Sequence, residues 1–288
     1  MASIVVFVDR WEGTEEAFLW LDYLVSQLGG RLVLVDAVTQ DACLAGSRGH
    51  RDPAQMEASA YAHMASVCQR LKREVHLQAL HGAMVETLPI AAVANEAELV
   101  VLLEPEGREA SRWMFRAEAL KTTLRCQCPV LLLTTGYAPH GRGLILLPHD
   151  GSEAAAVTFP VAQRLASALG WGIVLLQVLP LEADDWQGDP EIEELVRRWQ
   201  AVAHERLTLA AEELRRSGVE VRVETALGSP AQAILRVAHA LDADLIVLAT
   251  HGRSRGAGHR LGATAEAVFM RSPLPCLLVP SGAEGHGA

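Results

Sequence analysis

Lysine is nearly absent from this chain of 288 residues. Of its 25 basic residues only Lys72 and Lys121 are lysines, and 35 acidic residues give a formal net charge of −10. No basic tail or stripe offsets this acidity, so we expect no nucleic-acid partner. Long apolar runs are missing as well. Leu99–Leu103 and Leu245–Ala249 are far shorter than the ~18 residues of a membrane-spanning helix, so we expect no membrane partner.

Cysteine is also scarce, and its spacing is irregular. An odd number of cysteines fits a reducing compartment better than a disulfide framework. The first residues lead straight into the apolar stretch Ile4–Val8, without the basic region of a secretory signal. We therefore expect a cytoplasmic protein. The cysteines are Cys43, Cys68, Cys126, Cys128 and Cys276.

An internal repeat is the strongest feature that the sequence does contain. Residues 75–133 align with residues 221–279 without gaps, at a constant offset of 146 positions. A period of this length indicates two copies of a whole domain rather than a solenoid. We predict domains at residues 1–136 and 144–282, joined by a linker at 137–143 that contains Gly and Pro. Matched pairs include Gly82 with Gly228, Leu99 with Leu245, and Pro129 with Pro275.

Each copy alternates apolar strands with helices. This order predicts an α/β fold of two tandem doubly wound domains, each a five-stranded parallel sheet flanked by helices. In the second copy the predicted strands are Leu144–Leu147, Gly172–Leu179, Glu220–Ala226, Leu245–Ala249 and Cys276–Val279. The predicted helices are Ala154–Leu169, Glu191–Ser217, one that starts at Pro230, and Thr264–Met270.

The loop after the fourth strand of the second copy has the properties of a phosphate site. Its glycines predict backbone with positive φ that can approach a ligand closely. Arg253 and three further basic residues add positive charge, and the N-terminus of the next helix favours anions. The alternative is that the loop only turns a corner. The glycines are Gly252, Gly256, Gly258 and Gly262.

The repeat, the acid after the first strand (Asp150) and this loop together resemble the universal stress protein family over nearly the whole chain. ATP-binding members of that family carry the pattern G-x2-G-x9-G-[ST]. At its four positions this chain has Ala249, Gly252, Gly262 and Ala263. The alanines at 249 and 263 depart from the pattern. The hydroxyl missing at position 263 costs about 1 kcal/mol, so ATP binding is weakened and need not vanish.

The resemblance implies a Rossmann-like domain of the adenine nucleotide alpha hydrolase type that holds ATP, often with Mg²⁺. It implies that Asp150 accepts a hydrogen bond from the adenine or its surroundings, that Pro148 and Val178 line the adenine pocket, and that Ala249 lies by the ribose. The residues whose backbone would contact the phosphates are Gly252, Gly262, Ala263 and Thr264. It also implies pairing of the two fifth strands as an internal pseudo-dimer, with a further homodimer as an option.

The first copy carries different residues at the same positions. The carboxylates of Glu104 and Glu106 would repel phosphate, so we predict that this copy does not bind ATP by this route. The alternative is another anionic ligand, held by Arg108, Arg112 and Arg116. Asp9 keeps the acid after strand one, while Leu103, Glu106 and Arg116 replace Ala249, Gly252 and Gly262.

We predict a universal-stress-type protein that binds ATP or another adenine nucleotide in its C-terminal domain and acts in stress regulation rather than turnover. One alternative is a tandem scaffold for protein contacts without nucleotide. Another is a slow ATPase that uses His149 or His251, although no paired nucleophile and base can be nominated. Cys126 and Cys128 are too few for a structural zinc site, so we interpret them as core or surface thiols.

Overall fold

The computed structural model describes residues 3–8, 15–38, 52–71, 73–134, 142–181, 189–252 and 261–281. The chain divides into two compact units, Met1–Ala138 and Pro139–Ala288. The predicted linker at 137–143 lies almost wholly outside the described residues, as do Asp9, Arg253, Gly256 and Gly258.

The N-terminal unit contains a parallel sheet whose strands run in the order β3-β2-β1-β4-β5. All five residues of β1 are buried, which is typical of a strand covered by helices on both faces. The strands are β1 (Ser3–Phe7), β2 (Arg31–Val38), β3 (Val75–His81), β4 (Ala97–Leu103) and β5 (Val130–Leu133). The helices are α1 (Glu15–Leu28), α2 (Pro53–Arg70), α3 (Met84–Ala94) and α4 (Glu109–Thr123).

The C-terminal unit repeats this sheet, with its strands in the order β8-β7-β6-β9-β10. Strand for strand, this is the order of the first unit, so the prediction of two doubly wound α/β domains is confirmed. The strands are β6 (Leu144–Pro148), β7 (Gly172–Leu179), β8 (Val221–Leu227), β9 (Leu245–Ala249) and β10 (Cys276–Val279). The helices are α5 (Glu153–Ala156), α6 (Thr158–Leu169), α7 (Pro190–Arg215), α8 (Pro230–Ala240) and α9 (Ala263–Arg271).

One repeated glycine has the same conformation in both units. Gly82 has φ +129 and Gly228 has φ +117, a region that side-chain-bearing residues rarely adopt. Each donates its N–H to the last residue of the second strand, Val38 at 3.2 Å and Leu179 at 3.1 Å. The glycine therefore recurs because the turn from the third strand into the next helix needs its backbone freedom.

The helix predicted over Ala154–Leu169 is interrupted, so this prediction was wrong in one detail. The structure has α5 and α6 with Val157 between them. Pro160 has no N–H to donate to the carbonyl four residues earlier, at Ala156. The Thr158 hydroxyl also donates to the carbonyl of Ala155 at 2.7 Å. Both effects weaken the helical hydrogen bonding at this point.

Within the described ranges, no helix combines the length and the low polarity needed to cross a membrane.

Candidate functional site

The candidate site lies where the strand order of the C-terminal unit reverses. β6 pairs with β7 on one side and with β9 on the other, and the chain leaves β6 and β9 at the same edge of the sheet. In doubly wound sheets, ligands bind in the crevice at this edge. The segments that follow the two strands, His149–Ser152 and Thr250–Gly252, therefore hold the residues to consider first.

Asp150 is fixed by the start of α5. Its Oδ1 accepts hydrogen bonds from the Ser152 N–H at 3.0 Å and from the Ser152 hydroxyl at 2.6 Å. The Ser152 hydroxyl oxygen in turn caps α5 by accepting from the N–H of Ala155 at 3.1 Å. Gly151, with φ +81, allows the sharp turn between the two. The carboxylate is half-buried and held in one orientation at the mouth of the crevice.

The structure brings Asp150 directly against Gly252. A Cβ atom at position 252 would lie 2.5 Å from Asp150 Oδ2, a distance that real Cβ atoms do not tolerate. A larger residue at position 252 would therefore require the Asp150 carboxylate to move from its present position. Sequence spacing predicted a glycine with positive φ here, and that reason was wrong. In the structure, the φ angle of Gly252 is not in the positive region.

Gly262 also departs from the expected conformation. It is extended, with φ −61 and ψ 136, and its N–H donates to the carbonyl of Thr250 at 2.8 Å. A Cβ at this position would make only an ordinary contact of 3.5 Å with that carbonyl oxygen. Gly262 is thus held at the end of β9 as the N-cap of α9. Neither its backbone conformation nor the surrounding protein atoms require a glycine at this position.

The N-terminus of α9 carries no side-chain cap. Gly262 cannot supply one, so the N–H groups of the first turn have no side-chain acceptor from the N-cap. Ala263 is exposed and Thr264 is half-buried. The sequence placed the start of this helix at Thr264, and the structure places it one residue earlier. N–H groups without a side-chain cap and the helix dipole together favour an anion at this end.

The predicted adenine-side residues share one face of the sheet. Pro148 of β6 lies opposite Leu176 of β7, and Val178 follows two residues further along the same strand. Because side chains alternate along a strand, Pro148 and Val178 lie on the same side. Both are half-buried, as is Ala249 at the end of β9. Arg253, the remaining predicted site residue, lies outside the described residues.

The two histidines next to the site have different surroundings. His149 is buried, and its ring packs against Phe159 of α6 with the centroids 5.0 Å apart. His251 Nδ1 lies 3.2 Å from the Thr250 hydroxyl and 3.0 Å from that of Ser281. The Ser281 N–H donates to Thr250 Oγ1 at 3.0 Å. Ser281 was not predicted from the sequence, because nothing in its spacing marks a residue that follows the fifth strand.

This cluster joins the ends of β9 and β10. An imidazole beside a serine hydroxyl is a pair that nucleophilic catalysis uses, but catalysis also needs a group that orients the base. Among the described residues, the hydrogen bonds of His251 go to two hydroxyls and none to a carboxylate. The geometry therefore supports a structural link between strand ends more strongly than a reactive serine.

The N-terminal unit has an ion-pair cluster at the corresponding place. Glu104 follows β4 as Thr250 follows β9, and it is fully buried. Arg116 donates from Nε to Glu104 Oε1 at 2.5 Å and from Nη2 to Oε2 at 3.2 Å. Arg112 donates to Oε2 at 2.9 Å. Arg112 and Arg116 are therefore paired with a carboxylate of the protein itself.

The helix that carries these arginines explains the difference between the units. α4 begins at Glu109, so Arg116 lies two turns inside it, whereas Gly262 is the N-cap of α9. From the sequence, Glu104 was expected to be a carboxylate that repels phosphate. The structure corrects that reason, because Glu104 is neutralised by the two arginines. Arg116 is buried in this pair, whereas Arg112 is 37% exposed and Arg108 is exposed, so another anionic ligand of this unit stays a prediction.

The thiols of Cys126 and Cys128 lie near each other before β5. Burial raises the pKa of Cys126 to about 12 and that of Cys128 to about 11. Both therefore stay protonated and weakly nucleophilic near neutral pH. Cys68, Cys126, Cys128 and Cys276 are free cysteines, and Cys43 lies outside the described residues.

Taken together, the fold and the site define a class: tandem, doubly wound α/β proteins with a strand-end crevice beside a glycine-containing loop. Comparison with known proteins agrees. The model of the universal stress protein family matches residues 142–280, which cover the C-terminal unit. A universal stress protein of Thermus aquaticus is 34% identical over 136 residues, which are 47% of this chain and 96% of the relative. The chain belongs to the universal stress protein family.

Further relatives extend this result. A universal stress protein of Methanocaldococcus jannaschii is 31% identical over 140 residues, covering 47% of this chain and 80% of its own. The crystal structure of a universal stress protein from Archaeoglobus fulgidus matches 96% of both chains, with a TM-score of 0.67 and 19% identity. At that identity the likeness concerns the fold, and it includes both units. Each single-domain relative thus corresponds to about half of this chain, as the tandem repeat predicted.

Proposed function

We propose that the C-terminal unit binds ATP or another adenine nucleotide and that the protein acts in stress regulation rather than in turnover. One observation carries this proposal. Asp150 and Gly252 meet at the switch point, and Gly252 and Gly262 stand at the spacing of the ATP-binding pattern. The same edge of the sheet leads to a helix N-terminus without a side-chain cap, where a phosphate is favoured.

The residues present fit the groups of such a ligand. Pro148 and Val178 offer an apolar, half-buried surface on one face of the sheet for the adenine base. Ala249, with its small side chain, leaves room beside it for the ribose. The backbone of Gly262, Ala263 and Thr264 would meet the phosphates, with Arg253 adding charge. Within the described residues no group of three or more His, Cys, Asp or Glu could hold a metal ion.

The N-terminal unit would not take part in this binding. Its Glu104–Arg116 ion pair and the longer α4 stand where the C-terminal unit has Thr250 and the start of α9. We also propose a cytoplasmic location, because free cysteines are stable in a reducing compartment. We also propose, from the family resemblance alone, that the fifth strands of the two units pair with each other as an internal pseudo-dimer.

Isothermal titration of the full chain with ATP tests the proposal. We expect saturable binding, which Gly252→Glu abolishes because it places a carboxylate against Asp150. Glu106→Gly is the matched control in the N-terminal unit, and we expect it to leave binding unchanged. Thermal melts of both variants without ligand show whether the fold is retained.

The possible results separate the alternatives. No binding at millimolar ATP overturns the proposal and favours a scaffold for protein contacts. Binding that survives Gly252→Glu places the nucleotide elsewhere. ADP release over hours, lost in His149→Ala or His251→Ala, would favour the slow ATPase.

A further inference from the structure

α7 carries a stripe of exposed apolar side chains that its own unit does not cover. The helix has 26 residues, and its buried side is formed by Val196, Ala203, Leu207, Ala211 and Leu214. A second set of apolar residues on the same helix is 38% to 63% exposed. We call this set the α7 stripe: Ile192, Leu195, Trp199, Val202 and Leu209.

The spacing of the α7 stripe is that of a helix–helix contact. Its members follow one another at intervals of 3, 4, 3 and 7 residues, and Arg206 stands at the position that would divide the last interval. Alternating steps of three and four keep side chains on one side of a helix and form the seam of a coiled coil. At 1.5 Å per residue, the stripe is about 26 Å long.

The N-terminal unit shows that this stripe is not a requirement of the fold. α2 occupies the same place between the second and third strands, but it begins only at Pro53. Tyr61 is the one large apolar side chain exposed on the described part of α2. Exposed tryptophan within an apolar patch is typical of a surface that binds another protein.

We propose that the α7 stripe binds the same stripe of a second copy of this chain, as an antiparallel helix pair around a two-fold axis. With the axis between Trp199 and Val202, Trp199 faces Val202 of the partner subunit, and Ile192 faces Leu209 of the partner subunit. Leu195 then faces Arg206 of the partner subunit, whose aliphatic stem can cover it.

Charge along the stripe selects this partner and this direction. Arg198 and Glu205 are both exposed and flank the stripe on the same side, seven residues apart. In the antiparallel pair, Arg198 lies beside Glu205 of the partner subunit, and the two-fold axis repeats the contact. Among the described residues, Arg198 is paired with Glu194 of its own helix, at 3.0 Å, as a weak surface ion pair. The stripe is therefore complementary to itself in charge as well as in shape.

Sedimentation of the full chain across micromolar concentrations tests the inference. We expect a monomer–dimer equilibrium that Trp199→Glu weakens about 30-fold or more, because central tryptophans dominate such interfaces. Ile90→Glu replaces an apolar residue on α3 that is more exposed than Trp199 and serves as the control with unchanged association. Circular dichroism shows whether each variant keeps its helices.

A charge exchange identifies the partner and the register. Arg198→Glu alone, or Glu205→Arg alone, places like charges together at two symmetric contacts and should weaken the dimer about threefold to tenfold. The double variant should restore it, which only a self-paired antiparallel arrangement explains. A monomeric wild type, or a dimer that tolerates Trp199→Glu, overturns the proposal. A dimer that loses association with Trp199→Glu but shows no restoration refutes the antiparallel register.

Discussion

Arg116→Met should destabilise the N-terminal unit far more than an ordinary surface substitution. The change removes the guanidinium that makes two hydrogen bonds to Glu104, whose side chain is fully buried. The carboxylate is then left with Arg112, whose side chain is 37% exposed and makes one hydrogen bond. Removing one partner of a buried ion pair costs about 3–5 kcal/mol, because the other charge stays desolvated. Arg112 offsets part of this, so we expect a loss of about 3 kcal/mol.

Two further variants separate the buried charge from simple loss of packing. Glu104→Gln combined with Arg116→Met removes both charges, and it should restore most of the stability because buried ion pairs contribute little net free energy. Arg222→Met, which breaks an exposed pair with Glu220, should cost less than about 1 kcal/mol.

Hydrogen–deuterium exchange of peptides from β4 and α4 measures the N-terminal unit separately from the other. A loss of about 3 kcal/mol corresponds to an increase of roughly 100-fold in the exchange of globally protected amides. An Arg116→Met variant that exchanges within threefold of the wild type would refute the reasoning. A double variant as unstable as the single one would show that packing, and not the charge of Glu104, is responsible.

Four other outcomes follow from the site and the elements around it. Gly252→Ala should lower the melting temperature and weaken ATP binding, because its Cβ would lie 2.5 Å from Asp150 Oδ2; unchanged values in a thermal-shift titration would contradict this. Cys126 and Cys128 should react slowly with a disulfide reagent at pH 8 and faster as pH rises toward 11, since their raised pKa leaves about one thiolate in a thousand or fewer. Their raised pKa favours the folded state below about pH 9 and loses that contribution as pH rises toward 11 to 12, which unfolding at several pH values can follow. Asp189→Ala should cost about 1 kcal/mol in urea unfolding, because its carboxylate caps α7; the conservative Asp189→Asn should lose much less.

The sequence predicted the large-scale organisation because repetition is visible without any knowledge of packing. A constant offset over residues 75–133 and 221–279 was enough to find two copies, and the alternation of apolar runs was enough to place the strands. The break at Val157 was missed because the helical pattern on either side continues through it. Pro160 was the available signal, since it removes one helical hydrogen bond.

The location of the candidate site was predicted from the sequence, but the structural roles of some of its residues were not. Gly252 was expected for its backbone freedom and instead makes room for Asp150, a contact between residues about a hundred positions apart. No local pattern contains such a contact. The Glu104–Arg116 pair was missed for a different reason, since its residues are only 12 positions apart: arginines four residues apart, Arg112 and Arg116, mark one face of a helix, and such a face is usually solvated.

The ion pair of the N-terminal unit has a thermodynamic consequence for the whole chain. Its carboxylate is attached to the protein, so the stabilisation it provides does not change with the concentration of any solute. The C-terminal unit, if it binds ATP as proposed, gains stability by RT ln(1 + [ATP]/Kd), which rises as the nucleotide pool rises. One unit of this chain would therefore have constant stability while the other follows the energy state of the cell. The difference between their stabilities would then report nucleotide supply within a single molecule.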